Sequence, residues 1–418
     1  YFLKMWFEIP IMEITFDANN FEDRTAYKWV PINKGGAYRR HYGNYEYVIN
    51  IYDLWNCPDK VNVSVRRSEP EFYFKKALSW SATTMGGSSF RITNNKTSST
   101  AAPSLYFKND DDLYVSLALL NSCISQVYMD LLNPTVGLKL ANVEAVPAIK
   151  FEKMAVLLRS LCENNIALSK EDWDSYEISW DFEQHPLVKR KELHSLEKCY
   201  LEWKTECENR FLKMKDNEEH INAVILKEYG LENEVACEVS EKSISVHRIF
   251  DTKEDIPVSM DGSYYVRTKR DEIVSLISYS VGCMFGRYSL DKNGIVNAGD
   301  SLNANEYVSF SVDKDNIIPI CDDEYFKDDI VGRFVEFIKI VYGVDSLDDN
   351  LKFIANALGG KGSPREIIRN YFVNDFYKEH CVTYSGTVGK RPIYWLFDAG
   401  KNNSFKALIY MHRYQPDT

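Results

Sequence analysis

The stretch at 192 to 229, ELHSLEKCYLEWKTECENRFLKMKDNEEHINAVILKEY, divides the chain into an N-terminal and a C-terminal part. Leu193, Tyr200, Cys207, Met214 and Ile221 recur every seven residues, with Leu196, Trp203 and Val224 on a companion seam, and Gly230 stands at the position of a C-cap. A seven-residue apolar repeat puts a continuous stripe along one helix and implies a coiled-coil-like neighbour. At ~1.5 Å per residue the helix extends on the order of 55 Å, long enough to hold two domains apart. It reads as a structural spine and not as a cofactor site.

On the N-terminal side, the alternation Tyr45, Tyr47, Ile49, Ile51, the pair Phe72 and Phe74, and the apolar run near Trp80 predict strands. Asp110, Asp111 and Asp112 form an acidic first turn for a helix running to about residue 132, where Asn133-Pro134 stops it. A strand-like stretch from 136 to 149 then closes a mixed α/β module over residues 24–150, with residues 1–23 as the tail of a preceding element. Beyond that module, helical spacing over 151 to 167 and a short aromatic element after Ser169 lead into the long helix, giving a helical spacer over 151–250. Helices are predicted at 270 to 285, 322 to 342, 346 to 358 and 364 to 380; the last opens on Ser363, Pro364 and Glu366, an N-cap, an N1 proline and a capping-box acid. Two aromatic β-rich runs at 391 to 397 and 405 to 414 make a hairpin that ends a mainly α domain over 251–418. The predicted class is α+β multidomain, with a mixed α/β module, a long-helix spine and a mainly helical C-terminal domain with a β-hairpin.

Composition narrows the function. The chain has 418 residues and a net charge of −11, yet residues 24–108 hold 13 Lys or Arg against 5 Asp or Glu, while residues 151–418 hold 34 against 46. One segment is basic and the rest is acidic, which suits an anionic partner at one place. The nine cysteines are scattered without CxxC pairs or His at ligand spacing, so neither zinc nor a disulfide framework is indicated. A cytoplasmic location is expected from that cysteine usage. No apolar run approaches the ~20 residues of a membrane span, and the N-terminus shows no signal-peptide pattern. The first residue is Tyr1 and not Met, from which a fragment of something longer is expected.

The basic segment contains KWVPINKGGAYRRHYGNYEY at 28 to 47, in which Lys28, Lys34, Arg39, Arg40 and His41 alternate with Trp29, Tyr38, Tyr42, Tyr45 and Tyr47 around Gly35-Gly36. Cations attract phosphate, aromatic faces stack on bases, and glycines let backbone approach a ligand. Two readings fit: a nucleic-acid surface, or a solvated strand edge over a tyrosine-rich core. On the first reading Lys28, Lys34, Arg39, Arg40, Arg66, Arg67, Lys75 and Lys76 contact phosphate, and Ser81, Thr83, Arg91, Asn94 and Lys96, in a polar stretch from 79 to 104, read base edges. The loop Gly359-Gly360-Lys361-Gly362-Ser363 leads into a helix N-terminus, but it follows a helix and misplaces the Lys of a P-loop, so it reads as a connector. No GxSxG, HExxH or EF-hand motif appears, and Asp322 to Glu324 read as helix-start charges. No catalytic residue and no metal ligand is assigned.

Four segments, KWVPINKGGAYRRHYGNYEYVIN at 28 to 50, SKEDWDSYEISWDFEQHPL at 169 to 187, SLISYSVGCMFGRYSLD at 275 to 291 and RPIYWLFDAGKNNSFKALIYMHRY at 391 to 414, resemble the PglX family, adenine-specific DNA methyltransferases of the type 1 BREX phage-resistance system. LLNS at 119 to 122, NPT at 133 to 135 and VPAI at 146 to 149 look like the close of target-recognition domains in related restriction-modification proteins. The resemblance implies that residues 24–150 are the DNA target-recognition domain and that double-stranded DNA and other phage-defence subunits are partners. It implies S-adenosylmethionine as cofactor of the parent enzyme and none in this fragment. The family binds that cofactor through a glycine-rich motif and holds a flipped adenine in an NPPY-type loop; this chain has thirteen prolines and no Pro-Pro pair. The chain is therefore expected to be the C-terminal part of such an enzyme, without the catalytic domain. The alternative is a protein-interaction scaffold that docks other subunits with little DNA binding of its own. The sequence leaves open whether Arg287 and Tyr288 touch DNA or pack inside.

Overall fold

A computed structural model describes residues 2–56, 68–83, 87–133, 135–151, 153–299, 302–386, 389–400, 405–416 and 418. The first half is built on two small sheets. Strands β1 (Leu3–Met5), β2 (Trp29–Asn33) and β3 (Tyr47–Asn50) precede helix α1 (Ile51–Asn56), after which come β4 (Ala77–Trp80), β5 (Phe90–Thr93), β6 (Thr97–Ser98) and β7 (Ser104–Tyr106). One sheet has the order β1-β3-β2-β6, in which Leu3 faces Ile49 and Val30 faces Ile49 from the other side, and β6 joins parallel to β2. The other has the antiparallel order β5-β4-β7. Residues at the end of β1 and just beyond it are built into the fold: Met5, Trp6 and Phe7 are almost fully buried in the same core as Phe285, Tyr288 and Tyr410.

Helix α2 (Asp110–Asn121) begins where the three aspartates predict, with Asn109 Oδ1 accepting from the Asp112 amide at 2.8 Å. It does not run on to residue 132. Ser122 leaves the helical conformation and caps α3 (Cys123–Leu132), accepting from the Ser125 amide, so the two helices meet at 68°. The stretch from 136 to 149 forms the short helix α4 (Leu140–Glu144) and not the expected strand. Asn142 Oδ1 accepts from the Lys139 amide at 3.1 Å and starts that turn. Among the described residues no single helix is long and apolar enough to cross a membrane.

Helices α5 (Ala155–Asp174) and α6 (Pro186–Lys189) precede the long helix, α7 (Leu196–Tyr229), capped by Ser195 and ended by Gly230 at φ +68°. The heptad stripe is buried as expected, but no single helical mate covers it. Leu196, Tyr200, Trp203 and Cys207 enter the largest core, Phe211 and Met214 a smaller one with Ile244 and Val246, and Ile221, Ile225 and Leu226 a third with Leu117 and Leu158. Its partners change along its length because each core is assembled from different segments. A Cβ at Gly230 would meet no atom within 4 Å, so Gly230→Ala costs only the left-handed backbone. We expect a loss of about 1 kcal/mol, read from the urea midpoint.

Beyond α7 come β8 (Arg248–Phe250), parallel to β9 (Val266–Thr268), then α8 (Lys269–Met284) and β10 (Ile317–Cys321). Helix α9 (Ile330–Tyr342) starts later than the acidic run 322 to 324 suggests, because Asp329 is the N-cap, accepting from Val331 and Gly332. Asp322 to Glu324 are therefore not its first turn. Helix α10 (Leu347–Leu358) leads to α11 (Pro364–Tyr371), where Ser363 and Glu366 form the expected capping box. A π-turn over Phe372–Phe376 interrupts the predicted helix before α12 (Tyr377–Thr383). The short pair β11 (Ser385–Gly386) and β12 (Gly389–Lys390) precedes the hairpin β13 (Tyr394–Asp398) and β14 (Phe405–Tyr410), whose second strand also pairs with β10. Arg287 and Tyr288 are buried: the guanidinium lies over Trp6 and donates to the Tyr410 hydroxyl at 3.2 Å. The chain is an α+β multidomain fold.

Candidate nucleic-acid interface and the cleft beside it

The aromatic and basic stretch leaves β2 at Lys34 and turns through Gly35 and Gly36, both at positive φ. A Cβ at Gly35 would sit 2.8 Å from the Ala101 carbonyl, so the turn requires glycine there. The chain then runs inward. The His41 amide donates to the Phe90 carbonyl and the Ile92 amide to the His41 carbonyl, each at 2.9 Å, which stitches the segment alongside β5.

That path buries the charges that the sequence placed on a phosphate-facing surface. Arg39 and Arg40 are 7% and 8% exposed, and Arg91 is 1% exposed. Arg40 Nη1 lies 2.6 Å from Glu218 Oε2, and His41 Nε2 lies 2.9 Å from Glu218 Oε1. Arg39 Nη1 is 3.6 Å from Asp172 Oδ2, with its guanidinium over the rings of Trp173 and Tyr265. Asp172 also accepts from the His247 amide at 2.8 Å and contacts His247 Nδ1 at 2.9 Å. Burial raises the Asp172 carboxyl, but His247, Arg39 and Arg210 outweigh it and hold the group down at about 2. Burial raises Glu218 as well, and Arg40 and His41 bring it below its ordinary value. Burial lowers Arg91. Ser81 is buried too, its hydroxyl donating to the Gly36 carbonyl at 3.0 Å. These four side chains do not lie on the surface. Carboxylates and carbonyls distant in sequence meet Arg39, Arg40 and Ser81 inside, and Arg91 sits on β5 bridged to His41.

The other expected contacts remain reachable. Lys28 is exposed and paired with Glu13 at 2.8 Å; Lys76 is paired with Asp110 at 2.7 Å. Lys34 is half-buried, and Lys75, Thr83 and Asn94 are exposed. Lys96 Nζ sits 4.0 Å above the Tyr45 ring and 3.0 Å from the Asn94 carbonyl; burial and Lys170 bring its ammonium down to about 8 against the opposing pull of Asp181. Arg66 and Arg67 lie outside the described residues.

The reachable groups form two clusters. Lys75, Asn94 and Lys96 are brought together by backbone bonds from the Phe74 amide to Lys96 and from the Asn95 amide to Phe74. Lys34 and Thr83 lie near the other end of β4, where the Ala82 amide donates to Ala101 and Ser81 to Gly36. The two clusters lie at opposite ends of β4, with Lys75 and Thr83 eight positions apart.

Beside Arg39 lies a cavity of about 530 Å³, walled by Glu46, by Trp173, Tyr176 and Glu177 around the end of α5, by α8, and by α11 to α12. None of Asp172, Glu177, Glu218 or His247 carries a motif in the sequence. The one hint is that Asp172 and Glu177 fall in the segment at 169 to 187, part of the resemblance to the PglX family.

No family model matches the chain. Along all of its length it is similar to two curated proteins: it is 37% identical over 432 residues to the adenine-specific methyltransferase PglX of Lacticaseibacillus casei (strain Zhang), and 33% identical over 434 residues to the adenine-specific methyltransferase BrxX of Escherichia coli O9:H4 (strain HS). The chain spans 34% of the length of each of these relatives.

Proposed function

We propose, for a chain homologous from end to end with the adenine-specific methyltransferases PglX and BrxX, that residues 24–150 read the DNA site at which such an enzyme acts. The full-length similarity carries this reading. The two clusters at the ends of β4 supply its chemistry, with Lys34, Lys75 and Lys96 positioning phosphates and Thr83 and Asn94 reaching base edges. Lys28 and Lys76 contribute after exchanging their carboxylate partners for phosphate. The α7 spine and the helices after it shape the cleft and dock other subunits of a phage-defence system in the cytoplasm. S-adenosylmethionine serves the parent enzyme. The sequence carries no methyltransferase glycine motif after a strand and no Pro-Pro pair to hold it, so no step of the transfer is assigned to these residues.

The test is binding of the 418-residue chain to mixed-sequence duplex DNA across a salt series. Replacing Lys34, Lys75 and Lys96 by Ala is expected to make the slope of log affinity against log salt shallower by about 3, at ~0.9 for each phosphate no longer neutralised. Because Lys96 titrates near 8, wild-type affinity is also expected to fall as pH rises from about 7 to about 9, and the Lys96→Ala chain is expected to lose that dependence. An unchanged slope in the triple variant overturns the assignment.

A second reading, docking of partner subunits as the main role, is favoured by apolar side chains left in solvent between α3 and α5. Leu131 is 74% and Val156 is 83% exposed, with Val136 and Leu140 also exposed. Partner capture by a chain that shows no salt-dependent DNA binding would favour it over target recognition.

A further inference from the structure

The cavity beside Arg39 has no part in the DNA contacts at β4, and its walls are polar in an unusual way. Most of the charge around it is already used. Arg267 Nε is 2.5 Å from Glu272 and its guanidinium lies over the Tyr176 ring; Arg270 is 2.7 Å from Glu379, which also accepts from the Tyr371 hydroxyl; His185 contacts the Ser275 hydroxyl at 2.8 Å. The remainder is a small set of groups of opposite character. Among the described residues, Arg39 Nε and Nη1, Glu177 Oε1 and the Tyr176 hydroxyl have no hydrogen-bond partner, although Arg39 and Glu177 are each 7% exposed. Glu46, half-buried on the same wall, forms no side-chain hydrogen bond with them, and burial raises both its carboxyl and that of Glu177.

Unpaired buried polar groups are rare in folded chains and each calls for a partner. Here they include the Nε and Nη1 donors of Arg39 and one oxygen of Glu177, whose carboxylate also accepts from Ser278 and Tyr288; the half-buried Glu46 carboxylate faces the same cavity. The cations lining the cavity, Arg39, Arg267 and Arg270, do not outnumber the acids Glu46, Glu177, Asp271 and Glu379. A polyphosphate would find no net positive field. Trp173, Tyr176, Phe182, Tyr371 and Phe376 supply flat apolar faces, and about 530 Å³ accommodates a ring system of one or two fused cycles with a sugar.

We propose that this cavity binds a nucleobase, a flat and nearly neutral heterocycle whose edge offers acceptors to Arg39 and donors to Glu46 and Glu177. Two sources share that chemistry: a free nucleoside, and a base extruded from duplex DNA. The proposal does not rest on the lysine contacts at β4, and neither arm of its test involves Lys34, Lys75 or Lys96.

In the first arm, guanosine, adenosine and cytidine are titrated separately into the full chain and followed by ligand-observed NMR up to roughly 5 mM. In the second, a short duplex with one central mismatch, whose bases leave the stack at low cost, competes against its matched counterpart. Glu46→Ala, which removes a side chain without hydrogen bonds among the described residues, and Glu177→Gln, which keeps the shape, are the variants, with thermal unfolding as the control for folding. Saturable nucleoside binding weakened about tenfold or more by either variant supports a free ligand. A mismatch preference lost in either variant supports an extruded base. Absence of both in the wild-type chain, or wild-type behaviour of both folded variants in both arms, overturns the proposal.

Discussion

Replacing Glu218 by Ala is expected to destabilise the fold by roughly 3–5 kcal/mol, because it leaves Arg40 and His41 buried against a site with no negative charge. Glu218 is 4% exposed and contacts both, at 2.6 and 2.9 Å. The same substitution discriminates between two roles for Arg40. Were Arg40 a phosphate contact, Arg40→Ala would weaken DNA binding and leave stability intact. With the guanidinium held by Glu218, Arg40→Ala is expected to lower the urea midpoint, and the double substitution with Glu218→Ala is expected to cost less than the sum of the two singles.

The second large effect concerns Asp172, whose carboxyl titrates at about 2 in the folded chain against an ordinary value of 3.8. A carboxyl with a depressed folded value binds its proton less readily when folded, so its contribution is present above 3.8 and is lost as pH falls toward 2. The difference corresponds to about 2 kcal/mol. Urea unfolding measured between about pH 6 and about pH 2 is expected to show that loss in the wild-type chain. Asp172→Asn is expected to flatten that part of the curve and to destabilise the chain at neutral pH by about 3 kcal/mol or more, since Arg39 and His247 then lose their buried carboxylate partner. An acid limb of the same steepness in the Asn variant would remove Asp172 as its source.

The elements are legible where a local signal suffices. Gly230, the acidic turn at Asp110, the Ser363 and Glu366 box and the heptad stripe of α7 each act within a few residues, and each sits where the sequence places it. The strand expected at 136 to 149 fails because its apolar residues serve a short helix with its own capping group at Asn142. The burial of Arg39, Arg40 and Arg91 is not legible at all. A run such as Tyr-Arg-Arg-His looks like a solvated basic patch until its counter-charges are known, and those counter-charges, Asp172 and Glu218, stand 133 and 178 positions beyond Arg39 and Arg40. Composition can count a surplus of lysine and arginine; it cannot say which of them are held inside. The cavity escapes for the same reason, since its walls come from widely separated segments.

Helix α7 contributes side chains to three separate cores, and that has a consequence for how the chain comes apart. A module whose hydrophobic interior is its own can open by itself while its neighbours hold. Here the module proposed to carry the DNA contacts shares its interior with the last third of α7, and the C-terminal helices share theirs with the first third. A disturbance that melts either end of the rod removes part of the other's interior as well. The chain is thus expected to open as one cooperative unit, so that a partner clamping the helices after β10 would also stiffen the surface proposed to face DNA.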